Sequence, residues 1–162
     1  MKALTLTQPW ATLVAIGAKT IETRSWRTSH RGLIAIHAAV GFPAACRALC
    51  GRPPFADVLA AAGYHSRVAQ LTAECGKVLA VVDLKGCWET FPSSLNPEAW
   101  RTVFGGAPHE EAFGDYSSGR WGWRMEGLQR MAEPVPVRGF QQLWSLPADV
   151  EAAVMAQVRG WR

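Results

Sequence analysis

Gly17-Ala18-Lys19-Thr20-Ile21-Glu22-Thr23-Arg24, continued by Ser25-Trp26-Arg27, is the stretch whose reading decides the rest of the chain. It follows the pattern G-x-K-x-x-E-x-R, which sets an ammonium, a carboxylate and a guanidinium close together, then an indole and a second guanidinium. As a strand over Thr20 to Trp26, its period of two sends Glu22, Arg24 and Trp26 to one face and Ile21 and Thr23 to the other. Lys19 then stands at the lip of that face. Such a face is either a recognition surface or an acid–base site. The plain alternative is a solvated Glu22–Arg24 pair worth about 0–1 kcal/mol, with Trp26 as ordinary core.

Upstream, Ala3 to Thr7 alternates as a short strand. Thr7 or Gln8 suits a helix N-cap, and Pro9 suits the first helical position, where its missing N–H costs nothing. Trp10, Leu13 and Val14 share one apolar face, and Gly17 ends the helix in the C′ role. The helix start at Gln8-Pro9 offers free N–H groups, a candidate anion site.

Downstream, Thr28 to Gly32 is a turn by composition, and Leu33 to Ala39 is a strand apolar on both faces apart from His37, hence central and buried. Phe42 to Ala73 reads as helices broken at Gly51-Arg52-Pro53-Pro54 and at Gly63. Lys77 to Trp88 is a strand in which Asp83 needs a partner, an arginine being the expected one. Glu98 to Phe104 is a short helix within a loop-rich region, and His109-Glu110-Glu111 reads as solvated loop. Gly119 to Glu126 is a strand with Arg120 and Arg124 on one face and Trp121 and Trp123 on the other. Gly127 to Arg130 turns the chain, Val135 to Arg138 is an edge-like strand beside Pro134, and Ala148 to Val158 is a closing helix.

With 162 residues, 49% hydrophobic and 19% charged, the chain fits one globular domain over 1–162, with a helical insertion near 43–74. The balance of 17 basic and 13 acidic side chains, a net +4, favours a polyanionic partner. No apolar run reaches the ~20 residues of a membrane span, and Gln8 and Pro9 interrupt any signal-peptide core. The expected setting is therefore cytoplasmic, with no membrane partner; the oligomeric state is open, a monomer being favoured. Cys46, Cys50, Cys75 and Cys87 read as free thiols, and no spacing matches a metal-ligand set, so neither metal nor cofactor is expected.

The motif resembles the ASCH domain, a member of the PUA-like superfamily. The matching residues are Gln8-Pro9-Trp10, Gly17 to Arg27, Arg31-Gly32, Ile36-His37-Ala38, Gly119 to Trp123, Pro134 to Gly139 and Gln142 to Pro147. The stretch Ala44 to Glu74 matches no part of it. The resemblance implies an α+β fold, a small PUA-like β-barrel of about five or six mixed strands decorated by helices, with a cleft between them. It also implies RNA-linked roles and brings His37 toward the cleft.

Two functions follow. The first is a nucleic-acid-binding module, with RNA the expected ligand, using Gln8, Trp10, Lys19, Glu22, Arg24, Trp26, Arg27 and His37. Guanidinium and ammonium groups neutralise phosphates, indoles stack bases, and Glu22 accepts from a base amino group or orients the cations. His30 and Arg31 add to the same basic cluster. The alternative is a hydrolase of RNA or a modified nucleoside, with Lys19 and Glu22 as catalytic residues. Some ASCH-like bacterial proteins are similar and act as amidohydrolases on 4-acetylcytidine, and others are linked to ribonuclease activity. The amidohydrolases carry a threonine where this chain has Glu22, so their candidate nucleophile is missing here.

Overall fold

A strand with apolar residues on both faces has to be covered on both, and this one organises the sheet. The computed structural model describes residues 1–160. Strand β3 (Gly32–Ala38) lies between β1 (Lys2–Leu6), to which it is parallel, and β4 (Lys77–Glu89), to which it is antiparallel. Long β5 (Trp121–Pro136) and short β2 (Ile21–Arg24) extend the β4 side, and β6 (Leu143–Ser145) pairs with β1. The result is one six-stranded mixed sheet in the order β2-β5-β4-β3-β1-β6.

One face of this sheet points Leu4, Ile34, Ile36, Val82 and Trp123 at helix α1 (Trp10–Ala15), whose Ala11, Val14 and Ala15 complete the core. The other face points Ala3, Ala35, Val81 and Met131 toward helix α6 (Ala148–Met155), which contributes Val154. The helical stretch expected downstream of Phe42 is present as α2 (Ala44–Leu49), α3 (Phe55–Ala61) and α4 (Arg67–Glu74). Phe55, Leu59, Tyr64 and Leu71 pack there against Leu13 and Phe113. Glu74 fastens the same stretch to the rest, accepting from Thr12 Oγ1 (2.7 Å) and Tyr64 Oη (2.6 Å) with Arg130 3.5 Å away. Helix α5 (Pro97–Phe104) is capped by Asn96 Oδ1, which accepts from Ala99 N at 3.0 Å.

Several boundaries differ from the sequence reading. The motif strand is only Ile21–Arg24, so Trp26 lies beyond it. Gly127 to Arg130 is not a turn, because β5 runs straight through it. Asp83 pairs with Glu126 and Val81 with Gln129, so β5 carries one residue more than β4 across this step. Gly127, at φ +59°, absorbs the extra residue as a bulge rather than reversing the chain. Val135 to Arg138 is accordingly no separate strand but the end of β5. Pro134 falls in a second out-of-register stretch, where its missing N–H breaks no ladder. Strand β6 had no visible signature, and the partner of Asp83 is Lys85 rather than an arginine.

The bulges bend β4 and β5 so that the two edge strands approach one another. Arg24 on β2 and Gln142, just before β6, line a common cavity. The sheet is thus a half-barrel. No helix among the described residues is long and apolar enough to cross a membrane.

His37 is held inside by a directional chain. Trp144 Nε1–H donates to Thr5 Oγ1 (3.0 Å), which leaves the Thr5 hydroxyl proton for His37 Nδ1 (3.2 Å). His37 Nε2–H donates to the Val137 carbonyl (3.0 Å). This arrangement needs a neutral ring, and burial lowers the His37 pKa below its ordinary 6.5, against the opposing effect of backbone acceptors. In the unfolded chain the same ring takes a proton that the folded one refuses. Stability is therefore full above ~6.5 and lost as pH falls below it. Urea unfolding between roughly pH 7.5 and pH 5 should show a steeper loss for the wild type than for His37→Gln; equal slopes would show that the buried ring titrates normally.

Candidate functional site

Helix α1 ends in a Schellman arrangement. Gly17 N donates to Val14 O and Ala18 N to Leu13 O, both at 2.9 Å, with Gly17 at φ +76°. The tight reversal sends Lys19 inward rather than outward. Its side chain is 1% exposed, donates to the Ile21 carbonyl, and stands 3.8 Å from both Glu22 Oε2 and Glu110 Oε1. The expected lysine at the cleft's lip is instead its buried footing. Two carboxylates flank one ammonium, and the guanidinium of Arg24, 3.5 Å from Glu22 Oε1, balances the second negative charge.

Glu110, expected in a solvated loop, is instead buried. It sits in a short 3-10 turn (Glu110–Phe113), is 2% exposed, and accepts from Thr20 N (2.7 Å), Thr20 Oγ1 (2.8 Å) and Ile21 N (3.2 Å). A single carboxylate thus fixes the backbone that leads into β2. Tyr116 Oη also points at it, at 3.4 Å, and burial beside that carboxylate pushes the phenol pKa up.

Above this buried layer opens a cleft of about 470 Å³. Glu22 and Arg24 line it from β2, Trp10 from α1, Cys46 from α2, Phe113 from the 3-10 turn, and Gly114 and Asp115 from the segment after it. The strand parity therefore holds for Glu22 and Arg24. Arg120, which also lines the cleft, is paired with Asp115 at 3.2 Å. Trp10 keeps a fixed orientation, because its Nε1–H donates to Phe113 O at 2.9 Å and its ring meets Phe55 edge-on.

The remaining sequence candidates divide. Trp26 flanks the site, with the Arg24 guanidinium 5.9 Å from its ring centre and Trp123 packed edge-on behind it. Arg27 is exposed and lies over Trp121 at 5.5 Å, outside the cleft lining. Gln8 is fully buried, and its Oε1 accepts from Thr12 N at 3.1 Å. That bond, with Leu13 N to Pro9 O and Ala11 N to Thr7 O, occupies the N–H groups of Ala11, Thr12 and Leu13, so these do not serve the anion site expected there. His37 does not face the cleft; it stands behind Thr5, which does. Arg31 turns back to the carbonyls of Thr28 and His30.

Sequence reasoning missed Glu110, Phe113, Asp115 and the middle helices' contribution to the wall. Among the described residues, no group of three or more His, Cys, Asp or Glu is placed to hold a metal ion.

The model of the ASCH domain family matches residues 4–140. Two solved structures are similar in fold. The ASCH protein of Zymomonas mobilis has 15% identity and a TM-score of 0.54, with 96% of this chain and 93% of that one covered. A point mutant of that protein has 13% identity and a TM-score of 0.53, with 96% of each chain covered. No curated protein matches by sequence.

The buried triad has a measurable signature. Lys19→Met leaves two facing carboxylates without their cation and should cost about 3–5 kcal/mol in chemical denaturation. Adding Glu110→Gln should recover part of that loss, since one of the two charges goes. Strict additivity of the two substitutions would show that the three groups do not act together.

Proposed function

The chain belongs to the ASCH domain family, and from that premise we propose that its cleft binds single-stranded RNA. The observation that carries the proposal is the position of Arg24. Its guanidinium is partly exposed at the mouth of the cleft, steadied by Glu22 on one side and by the Trp26 ring on the other. A cation held this way meets a phosphate with little further loss of freedom. Half-buried Trp10 supplies an aromatic wall of the kind on which an unstacked base rests, an interaction worth about 1–3 kcal/mol, with Phe113 packed in the core behind the cleft. Glu22, with its remaining acceptor capacity toward the cleft, suits a base amino group. Single strands suit such a site better than duplexes, because only unstacked bases can enter a cleft. Lys19 serves this function indirectly: it neutralises Glu22 from below and touches no ligand.

One observation favours hydrolysis as a second reading. Glu22 lines the cleft while Lys19, 3.8 Å away, and Arg24 hold its charge in place, an arrangement suited to taking a proton from an attacking water.

Fluorescence anisotropy with a short oligoribonucleotide over a salt series separates these. Arg24→Ala should weaken binding and reduce the log–log salt slope by about 0.7, one phosphate on a single strand. An unchanged slope in a folded variant removes Arg24 as a phosphate contact. Under the binding reading Glu22→Gln keeps most of the affinity and alters base preference. Under the hydrolytic one it leaves binding intact and lowers turnover by about 100- to 10,000-fold, read by chromatography of RNA and acylated cytidine products.

A further inference from the structure

Arg24 lines two cavities, not one. Beyond the cleft described above, a second lobe of about 430 Å³ is bounded by Thr5, Thr7, Arg24, Trp26, Phe140 and Gln142. Thr5, Thr7 and Arg24 line both, so they form the partition between two compartments of similar size, each within the ~300–1,000 Å³ range of ligand pockets. The guanidinium bridges that partition. Its Nη1 is 3.5 Å from Glu22 on the first side, and its carbon is 5.9 Å from the Trp26 ring on the second.

The second lobe has the chemistry of a base-stacking platform. Phe140 is 54% exposed and lines the lobe. It is not loose: its ring packs edge-on against Trp144, and the Arg138 guanidinium lies 5.7 Å from its centre. Gln141 and Gln142, both exposed, bring uncharged amides that donate and accept. Gln142 adopts a left-handed φ of +58°, uncommon outside glycine and enriched where a loop is shaped for a ligand. The residues lining this lobe include no carboxylate, whereas the first lobe contains Glu22 and Asp115. An anion at Arg24 therefore meets least repulsion from the second side.

We propose that the groove is a dinucleotide site, with one base in the lobe lined by Trp10 and Glu22, the next stacked on Phe140, and the phosphodiester between them at Arg24. This rests on the RNA-binding reading and extends it: the unit recognised is a dinucleotide step rather than an isolated nucleoside. The spacing follows from one cation separating two base-sized compartments. Phe140 supplies affinity that is indifferent to base identity, since every base has a π-face, while Glu22 in the first lobe supplies selection.

The test is competition against a fluorescently labelled oligoribonucleotide, using ribonucleoside 5′-monophosphates and dinucleoside monophosphates as competitors. On the wild type the dinucleotides should compete at least about tenfold better than the mononucleotides. Phe140→Ala should weaken dinucleotide competition by about 5- to 150-fold, the equivalent of one lost stack, and leave mononucleotides unchanged. Phe140→Trp should retain the dinucleotide advantage, which a merely structural role for Phe140 does not require. If Phe140→Ala leaves dinucleotide competition unchanged, or weakens both competitors equally, the second subsite is wrong while RNA binding stands. If the wild type does not bind the labelled RNA, both readings fall.

Discussion

Everything at this site depends on one carboxylate holding the start of a strand. Glu110 accepts from two successive backbone N–H groups, Thr20 and Ile21, and faces Lys19 on its other side. Strand β2 is only four residues long and sits at the edge of the sheet, paired on one side alone. Left to its ladder with β5, so short a strand would fray. The Glu110 clasp anchors one end, the Schellman turn at Gly17 sets its direction, and Glu22 and Arg24 emerge at fixed positions. The contact spans 90 positions in the chain, so the 3-10 turn must fold against β2 before the cleft exists.

The charged motif is accordingly split by depth. Lys19 and the inner part of Glu22 belong to the interior, where the one ammonium faces Glu22 and Glu110 and the second negative charge is left to Arg24. Arg24 belongs to the surface. A buried ion network of this kind adds little net stability over an apolar core of the same volume, yet breaking it is costly. Its use here is positional, because it holds a carboxylate in the cleft wall and a guanidinium at the cleft's mouth. In the proposed RNA-binding role, the net +4 of the chain would supply long-range attraction and the cleft the geometry.

Much of the scaffold was legible in the sequence, for local reasons. The doubly apolar run of β3, the Gly17 stop of α1 and the glycine and proline breaks between the middle helices all act within a few residues, and all appear as read. The parity of Glu22 and Arg24 was legible for the same reason. What escaped was set by distant pairing. Gly127 looks like a turn residue until β4 is laid beside it, when it becomes a bulge. Lys19 looks exposed until Glu110 is brought against it. His37 and Gln8 look like site residues because they fall in the family's motifs, yet each is engaged in an internal hydrogen-bond chain. No local pattern marks a glutamate as the partner of a backbone 90 positions away.

If the Arg24 cleft is where RNA is held, the tryptophan indole N–H resonances report it most directly. Trp10 and Trp26 flank the cleft, while Trp88 lies under Arg124 and Trp100 packs on Phe104 and Tyr116, away from it. In a titration of ¹⁵N-labelled protein with a short oligoribonucleotide, the Trp10 and Trp26 signals are expected to shift progressively while those of Trp88 and Trp100 stay in place. Shifts confined to Trp88 and Trp100, with Trp10 and Trp26 unmoved, would contradict the account.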